Sequence, residues 1–430
     1  MTRDAESNQT LLTPRASWYA FAKSTLATKT DDLGANVPGW AVGSAPNMSL
    51  PLCGFDYAHG RSTVVVYQAT TELGAYNHGA MMDFHHGFFF LAWKNGPHDE
   101  DSPSQRVLYA TSPDGETWSK TDGRNVLFPS LTTNVSGQYV GAMFAGPTAI
   151  LNGRRYATAT PLPPFGLFPY PFASTPTSEE DSNTLLLREV KPDGALGPIF
   201  WASSKVPTGF EEASRRYNIS TSTALGATVR ADLALLADRR RLPCDVTQGT
   251  LKCEGCIGGC GNTTHWERTH YRVPHSAVEV ILTRRDNNSL GFSYRSSASA
   301  GQTGWSEAAD TQPLIPDVNS NLNAGELPDG RVFLVSNPCP KSWRGNHAAY
   351  RDPLVVSTSV DGFAFTRAKA VMSCEELQHC TPRILTGHPS GPSYPQAVTV
   401  TLPQKLAGLY VVATNNKEDV VVVRVPFESL

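Results

Sequence analysis

Apolar residues in this chain gather in short bursts that stop at turn-forming residues. STVVVYQ (62–68), GFFFLAW (87–93), NTLLLREV (183–190), VEVILTR (278–284), RVFLVSN (331–337), GLYVVAT (408–414) and DVVVVRV (419–425) are the clearest. They are β-branched or aromatic and bounded by turn residues, which predicts strands. A turn that ends on an aromatic recurs with them. SPDGETWS spans 112–119, SAGQTGWS 299–306 and SVDGFAFT 359–366, each behind an apolar run (RVLYAT, LGFSYRS and DPLVVSTS). The last two lie 60 residues apart, and 430 residues divided by seven is about 61. One small sheet cannot bury both its faces alone, so repeats of that length must stack around an axis. The pattern predicts an all-β, seven-bladed β-propeller. A β-sandwich with ordinary hairpins is the alternative.

The expected organisation is a single propeller domain over residues 1–430, least supported over 1–60. The final run is expected to be a blade strand that pairs with N-terminal sequence to close the ring. Residues 208–243 show little alternation and are expected to hold a short helix or a long channel-side loop. With the cysteine-rich stretch after them they make an insertion over 208–275. Residues 163–181, PPFGLFPYPFASTPTSEED, are too proline-rich for a central strand and predict a loop shaping the pocket.

Composition supports many short strands: 17% of residues are charged, beside 35 glycines and 32 prolines. A net charge of −3 leaves no polyanion-binding footprint, so no nucleic-acid partner is expected. No apolar run reaches the roughly 20 residues a membrane span needs, and no membrane partner is expected. The N-terminal MTRDAESNQTLLTPRASWYAF lacks a signal peptide's apolar core. Six N-x-S/T sequons (Asn8, Asn47, Asn134, Asn218, Asn262 and Asn287) and eight cysteines nevertheless suit an oxidising compartment. The expectation is a secreted, monomeric glycoprotein whose leader lies outside this sequence.

Several residues carry possible chemistry. His78 follows Asn77 at the start of an apolar stretch, and His98 comes 20 residues later, just past GFFFLAW. A strand out and a strand back would return both imidazoles to one end of one blade, as an acid/base or substrate-clamping pair. Each can equally be a strand cap that hydrogen-bonds a loop. His85 and His86 sit on the turn between the strands and are expected to be solvated. Tyr139 and Arg155 lie at hairpin spacing, 16 residues apart. An arginine fork holds a carboxylate bidentately, and a tyrosine can move a proton where a cation lowers its pKa. Arg154 competes with Arg155, since adjacent strand residues face opposite ways. The plain alternative is a tyrosine bonded to backbone and a surface arginine.

Cys244, Cys253, Cys256 and Cys260 lie within 17 residues, followed by His265 and His270. Such spacing lets four thiolates converge on one tetrahedral zinc, with Gly258, Gly259 and Gly261 permitting the turns. Two local disulfides are the alternative. Either would rigidify a long loop and take no part in catalysis. Cys339, Cys374 and Cys380 could form a disulfide, and Cys53 has no obvious partner.

The segment NHGAMMDF…FFFLAWKNGPHDEDSPSQRVLYATSPDGETWS resembles the sialidase-like propellers that cleave rhamnose–glucuronate linkages, the ulvan lyases and rhamnosyl-glucuronate lyases. LLLREVKPDGALGPIFWAS (185–203), NLNAGELPDGRVFLVSNP (321–338), RDPLVVSTSVDG (351–362), YPQAV and NNKEDVVVVRVP (up to 426) are similar to that group as well. The resemblance implies that His78 and His98 are active-site histidines, that Tyr139 is the catalytic tyrosine and that Arg155 faces the uronate carboxylate. Tyr217 would be a second tyrosine, with Arg215 or Arg216 as sugar-contacting substitutes and Asn77 beside the substrate. It also implies a structural zinc in the cysteine loop.

The implied reaction is β-elimination on a uronate-containing polysaccharide. The C5 proton of a 4-linked glucuronate leaves once the carboxylate is neutralised by Arg155 and a protonated histidine. A neutral histidine or a tyrosinate takes that proton, and a tyrosine hydroxyl protonates the departing oxygen. This route needs no cofactor. The rivals are a sialidase-like glycoside hydrolase, with Asp99, Glu100 and Asp101 nearest to supply an acid, and a non-catalytic glycan-binding propeller.

Overall fold

In the computed structural model every predicted burst forms a strand. The described residues are 37–43, 46–47, 49–99, 104–119, 122–131, 134–135, 138–139, 143–161, 185–207, 209–229, 265–285, 290–296, 309–311, 314–318, 320–341, 350–385 and 391–430.

Among them five sheets of four or more strands follow one another along the chain. Sheet I runs Tyr76–His85, Phe88–Gly96, Arg106–Ser112 and Val126–Phe128. Sheet II is built on Arg154–Pro161, Leu186–Val190, Leu196–Trp201 and Ser220–Thr221. Sheet III holds His265–Arg272, Val278–Arg285, Leu290–Ser296 and Ala309–Asp310. Sheet IV holds Asn323–Glu326, Val332–Ser336, Leu354–Ser359 and Ala364–Met372, with Gly39–Trp40 added in parallel at its edge. Sheet V holds Pro392–Val400, Gly408–Asn415 and Asp419–Val425. Ser62–Tyr67 adds to it antiparallel, so the last strand is paired by sequence from the N-terminal side, as expected.

The first strands of neighbouring sheets pack on one another: Tyr76–His85 on Pro392–Val400, that strand on Asn323–Glu326, and Asn323–Glu326 on His265–Arg272. Sheets that meet at their first strands radiate from a common axis, which is propeller geometry. The core lies between sheets. Phe89 and Leu91 of sheet I meet Tyr410 and Val412 of sheet V, and Phe333 of sheet IV meets Val411, all fully buried. Each such side chain contributes about 1.5–3 kcal/mol by leaving water.

Two of the predicted turn motifs share one wiring. Asp114 Oδ1 accepts the amides of Glu116 and Thr117 at 2.9 and 2.7 Å, and Trp118 Nε1 donates to the Gly115 carbonyl. Asp361 Oδ1 takes the amides of Phe363 and Ala364 at 2.9 and 2.8 Å. Gly115 is required where it stands: φ is 78°, and a Cβ there would lie 2.4 Å from the Tyr410 ring. The third motif, 299–306, lies outside the described residues, as do 163–181 and the four clustered cysteines.

The cysteine expectation needs correcting. Cys53 does have a partner, Cys339 across 286 residues, and Cys374 pairs with Cys380. The first bond ties the N-terminal segment to sheet IV. Sequence separation concealed it: the segment around Cys53 packs on sheet IV, where Gly39–Trp40 also pairs.

Candidate functional site

His78 and Tyr394 sit on irregular points of the first strands of sheets I and V. The register of Tyr76–His85 against its neighbour shifts between His78 and Met81, with Gly79 at φ 57°. That of Pro392–Val400 shifts between Ser393 and Gln396, with Tyr394 itself at φ 56°. Bulges re-aim side chains, and a tyrosine in the left-handed region is a strained choice. Here they bring the two rings to a centroid distance of 4.1 Å, edge to face. The two strands are also joined directly, since the Met82 amide donates to Gln396 Oε1.

Cations surround this ring pair. Arg284, near the end of Val278–Arg285, donates from Nη1 to the Tyr394 hydroxyl at 3.1 Å. The Arg351 guanidinium lies 5.1 Å from the same ring. Lys417, on the turn before Asp419–Val425, places its ammonium 6.0 Å from Tyr394 and 5.8 Å from Tyr76. Lys94, directly opposite His78 in the sheet, lies 5.3 Å from Tyr76. Arg351, Lys417 and Lys94 are buried, so their field is felt at low dielectric. Glu418 and Asp419 nearby are engaged by Arg383 and by backbone amides. Asp317, also buried, accepts the Ser320 amide, and burial pushes its carboxyl up to about 7 against the pull of that bond and of Arg284 and Arg351. Two arginine forks, a phenol and an imidazole at one point can hold a carboxylate and move protons beside it.

The structure sorts the residues expected from sequence. His78 is at the centre of the cluster and fully buried. His98 does return to the same end of sheet I, just past Gly96, which pairs with Tyr76, but it is exposed on the loop. Asn77 is spent internally. Its amide donates to the Glu418 and Gly74 carbonyls, and its oxygen accepts from Trp93 and Asn95. These bonds brace the strand.

Arg155 lies in a different place from His78. It is inward-facing, as the competition with Arg154 required, but it points into the contact between sheets I and II. It pairs with Asp83 at 2.6 Å, donates to the carbonyls of His85 and Phe88, and lies over the Phe88 ring. Burial raises the Asp83 carboxyl while Arg155 and Thr148 draw it back. Asp83 is five residues along the strand from His78, roughly 16 Å. Arg155 therefore serves the opposite end of the blade. Arg216 and Tyr217 are exposed at the end of the helix Glu211–Arg216. Trp201 Nε1 anchors that helix through Ser214 to the outer strands of sheet II, away from the axis. Tyr139 lies on the strand Gln138–Tyr139, and its side chain is outside the described residues, as are Cys244, Cys253, Cys256 and Cys260. Asp99 is exposed beside His98.

The residues missed are Tyr394, Arg284, Arg351, Lys94, Lys417 and Asp317. One signal was available: Pro395 inside an otherwise regular strand run marks a bulge, and the residue beside a bulge is aimed out of the ladder.

Fold and sheet arrangement define an all-β protein with propeller-type packing of its sheets. Residues 215–401 match a family model described as a BNR repeat-like domain, and residues 64–149 match a BT_1020-like, N-terminal beta propeller. Among solved structures the chain is similar to a sialidase, at 20% identity and a TM-score of 0.57, over 91% of this chain and 35% of that one. It is also similar to the Hadza microbial sialidase Hz136, at 12% identity and a TM-score of 0.49, over 86% and 69% of the two chains. A Trypanosoma rangeli sialidase mutant displaying trans-sialidase activity follows at 12% and 0.47, over 88% and 60%. The chain thus spans about a third of the length of the first of these sialidases. No curated protein matches the sequence.

Proposed function

We propose that this chain is a secreted, monomeric polysaccharide lyase that cleaves rhamnose–glucuronate glycans of the ulvan type by β-elimination. The observation that carries the reading is the His78–Tyr394 pair, 4.1 Å apart, with Arg284 on the phenol and Arg351 beside its ring. The arginines hold and neutralise the uronate carboxylate, which acidifies the C5 proton. Either the His78 imidazole or the Tyr394 phenolate removes that proton. The C5–H electron pair becomes the C4–C5 double bond as the C4–O4 bond breaks, and the other member of the pair protonates O4. The roles first expected of Tyr139 and Arg155 pass in this proposal to Tyr394 and the Arg284–Arg351 pair. The count of seven blades, taken from the 60-residue repeat, is part of the same proposal.

A second reading has its own observation. Tyr394 is held by Arg284 on a strained bulge, as a nucleophile would be, and Asp99 lies on the loop beside the same end of sheet I. This favours a sialidase-like hydrolase. Incubation with ulvan, and separately with gum arabic, separates the two. Elimination produces the ultraviolet absorbance of a conjugated unsaturated uronate. Hydrolysis produces reducing ends without it, and a binding protein produces neither.

The thiolate set Cys244, Cys253, Cys256 and Cys260 has the donor chemistry of a structural zinc site, and we propose that role with no part in the reaction. Metal analysis of the purified chain with a thiol count tests it.

A further inference from the structure

We propose that Asn337 is a positioning residue that, with Gly391, fixes Arg351 against Tyr394 and thereby sets the affinity of the site for a carboxylate. This rests on the acidic-sugar reading above. Asn337 directly follows the strand Val332–Ser336 and is fully buried. Its side-chain amide nitrogen lies 3.0 Å from the Arg351 carbonyl, 3.2 Å from that of Pro353 and 3.0 Å from that of Pro392. One amide group therefore joins the backbone that carries the guanidinium to the start of the strand that carries Tyr394, two residues further on.

The clamp is closed from both sides. The Asn337 carbonyl accepts the Val318 amide at 2.9 Å, and its own amide faces Asp317 Oδ1 at 3.4 Å. Opposite, Gly391 packs on Arg351 so tightly that a Cβ would lie 2.6 Å from the Arg351 carbonyl oxygen, at a φ of 95°. Gly391 is itself fixed, donating to Asn416 Oδ1 at 2.7 Å and accepting the Asn416 amide at 3.1 Å. An asparagine that merely fills a loop bonds its own segment. This one bonds the short strand Tyr350–Arg351 and the start of sheet V, each of which bears a site group. These joints fix the backbone from which the Arg351 and Tyr394 side chains reach each other.

The test is a cycle of Asn337→Ser, Arg351→Ala and the double variant, measuring D-glucuronate binding by calorimetry with D-glucose as the uncharged control. Serine keeps one donor, so the buried carbonyls are not all abandoned, and thermal melts check that each variant is folded. Asn337→Ser should weaken glucuronate binding about tenfold, a coupling normal for residues in one network. That loss should disappear in the Arg351→Ala background, and glucose should show no difference. Gly391→Ala, which pushes on Arg351 without removing a donor, should repeat the effect. Unchanged binding in Asn337→Ser, or an undiminished loss in the Arg351→Ala background, overturns the inference alone. If Arg351→Ala itself leaves glucuronate binding intact, the acidic-sugar reading falls, and this inference with it.

Discussion

His78 and Tyr394 meet across two sheets at 4.1 Å, each carried on a bulge of the strand nearest the axis. Neither residue would reach the other from a regular strand, because the alternation of a flat ladder fixes where each side chain points. The left-handed backbone of Tyr394 costs on the order of 1–3 kcal/mol, which the surrounding sheet must supply.

Tyr394→Phe should keep the ring contacts and the fold while removing the hydroxyl that Arg284 holds. Turnover of the acidic glycan should fall about 100-fold or more, the scale of a lost acid/base group, with little change in melting temperature. Steady-state kinetics beside thermal melts measure both. A Tyr394→Phe protein with wild-type kcat would show that the phenol moves no proton.

The two histidines should separate cleanly. His78→Gln should lower kcat about 100-fold or more, because its ring stands at the centre of the cluster. His98→Gln should retain most activity, since that residue is exposed on the loop past Gly96. Comparable losses from both would mean that the loop closes over the substrate and brings His98 inward.

Arg155 is expected to matter for stability. Its guanidinium is fully buried against Asp83, so Arg155→Met leaves a carboxylate without its cation at the contact between sheets I and II. Breaking such a pair costs about 3–5 kcal/mol. Chemical denaturation should show that loss, while the folded fraction keeps its kcat. A normal denaturation midpoint with lost turnover would return Arg155 to the active site.

The strands were legible because their bursts are β-branched and end at turn residues, and the Asp114 and Asp361 turns because aspartate in that spacing bonds its own backbone. The pairing of 419–425 with N-terminal sequence was also legible, as the ring must close. The site was legible only where one sheet contains it, at His78 and the return of the chain to His98. Arg284 comes from sheet III, Tyr394 from sheet V and Arg351 from the short strand Tyr350–Arg351, and the three meet only in the folded chain. No local spacing encodes that meeting. Arg155 stands apart for the complementary reason: hairpin spacing specifies the sheet but not which end of it, and its partner Asp83 lies toward the end opposite His78.

Asp317 makes the site sensitive to pH. Its carboxyl is fully buried, accepts the amides of Ser320 and Asn337 at 3.2 and 3.4 Å, and lies in the field of Arg284 and Arg351. Desolvation outweighs these and lifts it to about 7, whereas the unfolded chain releases the same proton near 4. Across that window the native state holds a proton that the unfolded state has lost. Stability should therefore fall as the pH rises from about 4 to about 7 and level off above, with a slope from this group of at most about 1.4 kcal/mol per pH unit. The same deprotonation sets a carboxylate behind the two arginines, in competition with the carboxylate of the substrate. KM for an acidic glycan should then rise above about pH 7 while kcat changes less. Asp317→Asn cannot titrate, and it should flatten both the stability slope and the rise in KM. Denaturation midpoints and initial rates across the pH range measure the two together, and if both dependences survive in Asp317→Asn, the titrating group is not Asp317.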